Sequence, residues 1–323
     1  MKKNFFITGG TGSFSRNFIK FILKKKAAKK IVIYSRDEFK QMQLREIPEI
    51  KNNLDIFRFF IGDVRDKDRL KFALTTNIDV VVHTAALKQV PASEYNPFET
   101  VKTNILGAQN LIDSCLEKNI PKIIALSTDK AAAPTNLYGA TKLTSDKLFT
   151  SANYYKGKKK SIFSVVRYGN VFGSRGSAIP VFYKQQKNQN YFTVTSKEMT
   201  RFSITLDESV KFVIKCINIM KGGEIFVPKI PSYKITDIIK AFNPKMKIKI
   251  IGVRPGEKIH EEMITLSDSI NTSEYKDYFI IHPSYKNGIK NKFPYSYNSQ
   301  DNKYFLSVNQ IKSLIKKNIK NFY

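Results

Sequence analysis

The sequence predicts an α/β fold, a doubly wound parallel sheet with a smaller C-terminal α/β region, and three observations predict it. Short apolar runs alternate with amphipathic stretches through the first half of the chain, the pattern of buried parallel strands covered by helices. A glycine-rich loop, Gly9-Gly10-Thr11-Gly12, joins the first apolar run to the first amphipathic stretch. After Arg167 the alternation stops in a loop-forming stretch, Tyr168 to Ser177, and a region of different texture begins. The expected division is 1–172 and 173–323, with the chain returning to the first domain around 205–228.

In chain order, the apolar runs predict strands at 4–8, 30–34, 58–62, 79–83, 122–126 and 161–167. The stretch from Pro97 to Asn119 predicts a helix, because Val101, Ile105, Ala108, Leu111, Ile112 and Cys115 recur at helical spacing. Pro97 suits its first turn and Asn119 its end. Beyond the break, helices are expected at 207–220 and 235–242, a strand at 224–227, and an extended run at 249–253 leading into Arg254-Pro255-Gly256-Glu257-Lys258. Residues 266–307 are polar, aromatic and irregular, so little regular structure is expected there, and a short amphipathic helix at 308–319 closes the chain.

Composition bounds the function. The chain has 323 residues, is 42% apolar and carries a formal charge of +28. Such a charge suits nucleic acid, a membrane surface or an anionic small ligand. The lysines are scattered through every segment without an aromatic-lined basic stripe, which argues against a nucleic-acid partner and leaves a solvated surface and a small anion. No stretch approaches the roughly 20 apolar residues of a membrane span, so no membrane is expected. Cys115 and Cys216 lie far apart in apolar patterns without metal-ligand spacing, as expected of core residues in a reducing, cytoplasmic compartment with no metal.

The glycine loop lies between a strand and the helix expected at 16–26. Glycines there allow close backbone approach, and the helix N-terminus offers free N–H groups to a pyrophosphate. This is the dinucleotide cradle of a Rossmann-type sheet. At the end of the second strand, Ser35 and Arg36 come before Asp37 and Glu38. A hydroxyl and a guanidinium placed first favour the 2′-phosphate of NADP over the bare ribose of NAD. Asp63, after the third strand, is a candidate for the adenine side. His83, ending the fourth strand, reads as a hydrogen-bonded strand-end histidine, whereas Lys88 in the next loop is a candidate to reach substrate.

The chemistry concentrates in Ser127-Thr128-Asp129-Lys130 and Tyr138-Gly139-Ala140-Thr141-Lys142. Tyr138 and Lys142 fall one helical turn apart on one face. A phenol with an ordinary pKa of about 10 needs a neighbouring cation to act as a base near neutrality, and Lys142 is expected to supply it.

These motifs resemble the extended short-chain dehydrogenases/reductases. More narrowly, several stretches resemble the inverting UDP-N-acetylglucosamine 4,6-dehydratases that begin pseudaminic acid synthesis: Ala85 to Pro91, Glu94 to Pro97, Leu126 to Lys130, Asn136 to Lys142, Val166 to Val171, Met199 to Phe202, Glu224 to Pro231 and Val253 to Lys258. Lys130 is the most specific position, because dehydratases that retain the C5 configuration usually carry a second acid there.

The resemblance implies a lyase in which Tyr138 accepts the proton of the sugar 4-hydroxyl while Thr128 steadies the oxygen and hydride passes to the nicotinamide. Lys130 then removes the C5 proton, with a pKa expected to be lowered by burial and by the charges of Lys142 and the oxidised ring. Asp129 protonates the departing 6-hydroxyl, hydride returns to C6, and C5 is reprotonated from the opposite face. NADP is thereby regenerated in each turnover. For the cofactor the resemblance implies Gly9, Thr11, Gly12, Ser13, Phe14, Ser35, Arg36, Asp37, Glu38, Lys40, Asp63, Val64, Thr84, Ala85, Lys102 and Val171, besides Tyr138 and Lys142.

For the UDP-sugar it implies Lys88, Asn170, Gly176, Ser177, Ala178, Ile179, Pro180, Phe192, Val194, Arg201, Arg254 and Glu257, with Arg254 first for the pyrophosphate. It also implies a homo-oligomer, with a hexamer as one form. The chain departs from the family pattern at Ser15, in place of the third loop glycine, where looser helix–strand packing is expected. Ala133 stands in place of an Asn, and Thr195-Ser196-Lys197-Glu198 also departs. The rival expectations are a retaining dehydratase or C4 epimerase on a UDP-hexosamine, and a non-catalytic NADP-binding sensor.

Overall fold

A computed structural model provides the structure of the protein and describes residues 2–74, 77–173, 178–283 and 293–318. Six strands follow the expected order: β1 Lys3–Thr8, β2 Ala28–Ser35, β3 Phe57–Ile61, β4 Val80–His83, β5 Lys122–Thr128 and β6 Ile162–Tyr168. All pair in parallel, in the spatial order β6-β5-β4-β1-β2-β3. The order reverses between β1 and β4, which opens a crevice beyond the carboxyl ends of the strands. Phe6, Ile7, Val32, Ile33, Val81, Val82, Ile123 and Ile124 are fully buried in the middle of this sheet, as expected when helices cover both faces.

The sheet extends beyond β6. Ile225–Pro228 joins it in parallel, and Tyr278–Ile281 and Thr272–Glu274 complete it as antiparallel strands, for nine in all. Residues 266–307 were expected to be irregular, but they supply these two strands, a short helix at Leu266–Ser269 and the strand Tyr297–Asn298. Each strand has only two to four residues, too few for a periodic pattern to stand out.

Between these returns the chain builds a second, smaller core around Phe182, Phe192, Val194, Ile238, Ile239 and Ile311. Its short sheets pair Thr200–Ile204 with Ser232–Lys234 and Asn170–Val171, and Lys247–Ile250 with Tyr191–Val194.

The helix expected over 97–119 is present with one irregularity. Helical turns at Pro97–Val101 and Gly107–Glu117 flank a π-helical stretch at Lys102–Leu106. There Asn104 turns inward, accepting from the Leu87 amide at 2.8 Å and donating to the Leu87 carbonyl at 2.9 Å and to Thr141 at 3.1 Å. A π-turn widens the helix by one residue, a form frequent beside functional sites. Here it ties the loop after β4 to the helix Leu137–Tyr155.

Candidate active site

The glycine loop has the backbone that its sequence requires. Gly9 adopts a left-handed conformation, φ 62°, and a Cβ there would approach Thr84 Oγ1 to 2.8 Å. Gly12 begins the helix Ser13–Lys24, whose first turn carries no acidic side chain, so its amides and dipole face the crevice uncompensated. Ser15 does not loosen the packing. It is fully buried, and its hydroxyl donates to the Gly9 carbonyl at 3.1 Å and meets Thr84 Oγ1 at 3.0 Å, replacing a bare glycine contact with a hydrogen-bonded one.

A cleft of about 680 Å³ runs along this edge. Of the expected cofactor residues it is lined by Gly9, Thr11, Gly12, Ser13, Phe14, Ser35, Arg36, Asp37, Lys40, Asp63, Val64, Thr84, Ala85, Tyr138, Lys142 and Val171. Asp37 caps the helix Glu38–Arg45 through the Lys40 amide and pairs with Lys40 Nζ at 2.6 Å. Arg36 lies 3.6 Å from Asp63, which also binds Arg65. Glu38 and Lys102 are not brought to the cleft; Lys102 pairs with Glu99 and lies over the Phe98 ring. His83 behaves as its position predicts. It is buried against Thr8 at 2.8 Å, and burial, with the charge of Lys142, pulls its pKa down to about 3.

At the far end of the cleft, β5 delivers Ser127, Thr128 and the turn Asp129–Ala131, and the helix Leu137–Tyr155 delivers Tyr138 and Lys142. Asn136 caps that helix by accepting from the Gly139 amide at 2.9 Å, and Glu94 accepts from the Leu137 amide at 2.7 Å. Burial pushes the Tyr138 phenol up to about 12, against the pull of Lys130 and of a hydrogen bond with Thr128. The charge of Lys130 favours the Tyr138 phenolate. Lys142 donates to the Leu126 carbonyl at 2.8 Å, and burial holds its pKa below the usual lysine value although Asp146 faces it.

Lys130 differs from expectation. Its side chain is 25% exposed, and its ammonium reaches Asp129 at 3.1 Å, Asn170 at 3.3 Å and Glu261 at 3.0 Å. Burial works against its charge, but the two carboxylates outweigh burial and raise its pKa above the ordinary lysine range. Asp129 is fully buried, and burial together with the negative charge of Glu261 raises its pKa. For Glu261 burial works in the same direction, but Lys130 and Arg201 outweigh it and hold the carboxyl below its usual value.

Glu261 was absent from the expected site. Its signal was a strand-like alternation in Ile259-His260-Glu261-Glu262-Met263, which puts Glu261 on the same face as the fully buried Met263.

The expected substrate residues divide. Lys88 and Asn170 line the cleft. Arg201 is mostly buried, donates to the carbonyls of Thr200, Lys258 and Ile259, and lies 3.7–3.8 Å from Glu257 and Glu261. The turn bearing exposed Arg254 and half-buried Glu257 is tied to the start of the Tyr138 helix, since Thr135 and Asn136 both donate to the Gly256 carbonyl. Ile179, Phe192 and Val194 are buried in the second core rather than along the cleft, and Ala178 and Pro180 begin the helix Ala178–Asn188 beside it. Gly176 and Ser177 lie outside the described residues. Among the described residues no cluster of His, Cys, Asp and Glu could hold a metal ion, and no helix is long and apolar enough to cross a membrane.

The chain as a whole is similar to several known proteins. Residues 5–283 match the family described as "Polysaccharide biosynthesis protein". An inverting UDP-N-acetylglucosamine 4,6-dehydratase of Campylobacter jejuni subsp. jejuni is 49% identical over 330 residues, spanning 97% of this chain and 97% of that protein. A UDP-glucose 4-epimerase of Rickettsia bellii is 40% identical over 286 residues, 86% of this chain and 82% of its own. Among solved structures, Pen from Bacillus thuringiensis superimposes with a TM-score of 0.89 at 39% identity, covering 98% of each chain.

Proposed function

The chain belongs to the polysaccharide biosynthesis protein family, and from that premise we infer that it is a UDP-N-acetylglucosamine 4,6-dehydratase that inverts C5. One observation carries the reading. Asp129 and Lys130, an acid and a base in contact, sit at the end of a dinucleotide cleft beside Tyr138, in a chain 49% identical to a dehydratase of that activity.

The residues of the cleft fit a nicotinamide dinucleotide: glycine backbone, an open helix N-terminus and small residues at Thr84 and Ala85. When bound, that cofactor supplies an acceptor that takes up a hydride and gives it back within one turnover. We take it to be NADP. Asp37 is engaged in capping and in its pair with Lys40, while Ser35 and the half-exposed Arg36 stand at the end of β2.

Tyr138 accepts the proton of the sugar 4-hydroxyl, and Thr128, within hydrogen-bonding reach of the phenol, steadies that oxygen. With a phenol pKa of about 12, the proton is accepted only as positive charge gathers nearby, to which Lys130 contributes, with Lys142 one turn along the same helix. Once C4 is a ketone, the C5 proton is acidified and passes to Lys130 as its amine, formed when the ammonium hands one proton to the adjoining Asp129 carboxylate. Asp129, whose protonated form is favoured by burial and by the charge of Glu261, then gives that proton to the departing 6-hydroxyl, which leaves as water. Asn170 and Lys88 hold the sugar side, and Arg254 and Glu257 the uridine diphosphate side. The product enters pseudaminic acid synthesis in the cytoplasm, and the protein works as a homo-oligomer. Support for that compartment comes from the free, buried thiols of Cys115 and Cys216.

The 40% identity to a UDP-glucose 4-epimerase favours one second reading, C4 epimerisation at the same Tyr138. Incubation with UDP-N-acetylglucosamine, with NADP and with NAD in parallel, followed by proton NMR, separates the two. A 6-methyl signal with inverted C5 couplings and solvent deuterium at C5 is expected, and Lys130→Ala abolishes all three. A product that keeps its 6-hydroxymethyl group, or a Lys130→Ala variant that dehydrates at the parent rate, overturns the reading.

A further inference from the structure

Lys130 is gripped from two regions of the chain. Asp129 is its neighbour, but Glu261 comes from the segment that returns over the catalytic turn after Arg254. That segment is fixed on both sides: Lys258 donates to the Ala132 carbonyl at 2.6 Å, and the Ser299 hydroxyl accepts from the Glu261 amide at 2.9 Å. Glu261 is 3% exposed and Asp129 fully buried. In each carboxyl, one oxygen meets Lys130 while the other is buried without a hydrogen-bond partner in the protein.

The protons of an ammonium here meet three acceptors, Asp129, Asn170 and Glu261. Lys130 therefore becomes a base only by passing one proton to a carboxylate beside it. When Asp129 takes that proton, the same transfer creates the amine that accepts the C5 proton and the acid that protonates the leaving hydroxyl. In the elimination the C5–H bond breaks as the Lys130 N–H bond forms. The C6–O bond breaks as the Asp129 proton moves to that oxygen. Lys130 ends as ammonium and Asp129 as carboxylate, with one negative charge on Glu261 throughout.

Resting on the dehydratase reading, we propose that Glu261 is a positioning residue of the reaction: its fixed carboxylate anchors Lys130 and biases the exchange of one proton between Lys130 and Asp129. The charged groups facing it are Lys130 and Asp129 from the catalytic turn, Arg201 from Thr200–Ile204, and Lys258 from its own segment. Tyr138 and Tyr233 face the same Lys130–Asp129 pair from the neighbouring helix and strand.

Glu261→Gln keeps length and an acceptor but removes the charge. Without that charge both Lys130 and Asp129 lose their proton more readily, so the pH profile of kcat moves to lower pH by about one unit. With KM within twofold of the parent, kcat at neutral pH falls about tenfold or more. Glu261→Asp keeps the charge, so its profile stays near the parent position even where its rate is reduced. A Glu261→Gln profile superimposable on the parent, or a Glu261→Asp profile displaced as far as that of Glu261→Gln, overturns the proposal. Should the Gln variant not fold, a Glu261→Asp profile displaced by about one pH unit from the parent overturns the proposal by itself. Solvent deuterium at C5 of the parent's product, lost in Lys130→Ala, tests the dehydratase reading separately, so failure of one is not mistaken for failure of the other.

Discussion

Ala133 holds a left-handed backbone, φ 43°, at an exposed position between Lys130 and Tyr138. An L-residue with a Cβ pays about 1–2 kcal/mol for that conformation, and Asn tolerates it better because its short amide bonds locally. Ala133→Asn is therefore expected to stabilise the fold by about 0.5–1 kcal/mol, raising the urea midpoint with an unchanged slope. The sequence marked Ala133 as a departure without giving the sign, because φ cannot be read from residue type. His83 was legible: a histidine ending an apolar strand was expected to be hydrogen-bonded, and with a pKa of about 3 it stays neutral near neutral pH. The charge on Lys130 was not legible, since it depends on a carboxylate far away in sequence.

The helix Leu137–Tyr155 positions the phenol by its first turn, which packs directly on the turn Asp129–Ala131 before it. A Cβ on Gly139 would run into the Lys130 carbonyl and press on Pro134. In an open helix Gly→Ala would help by about 1 kcal/mol. Here the clash reverses the sign. Gly139→Ala is expected to lose about 1–3 kcal/mol and to lower kcat more than tenfold, because Tyr138 and Lys130 are pushed apart; thermal melts and steady-state rates measure both. The helix itself was foreseen, with Tyr138 and Lys142 one turn apart on it. The π-turn at Lys102–Leu106 was not, because apolar spacing around Ile105 reads as ordinary helix, and the cause, Asn104 bridging two other segments, is tertiary.

Across the whole molecule, a buried ion cluster joins the large sheet to the later chain. Arg167, 1% exposed, donates to Asp146 at 3.3 Å, to Asp268 at 3.0 Å and to the Met263 carbonyl at 3.0 Å, and Ser127 donates to the same Asp146 oxygen. Asp268→Asn keeps an acceptor but leaves the guanidinium short of charge. Stability is expected to fall by about 1–3 kcal/mol in denaturant titration, with turnover per folded molecule within twofold of the parent. The parallel strands and the dinucleotide loop were legible because their apolar runs and glycines are local. The closing strands near 272–281 were not, being too short to carry a period.

The same closure governs when the enzyme can first act. Lys130 leaves the ribosome roughly 130 residues before Glu261, and at ~5–20 residues per second that interval is on the order of ten seconds. During it the nascent chain holds its cofactor cradle and its tyrosine, but the lysine has no distant counter-charge. On the proposed role of Glu261, elimination therefore waits until the segment that carries it has been made and has folded over Lys130.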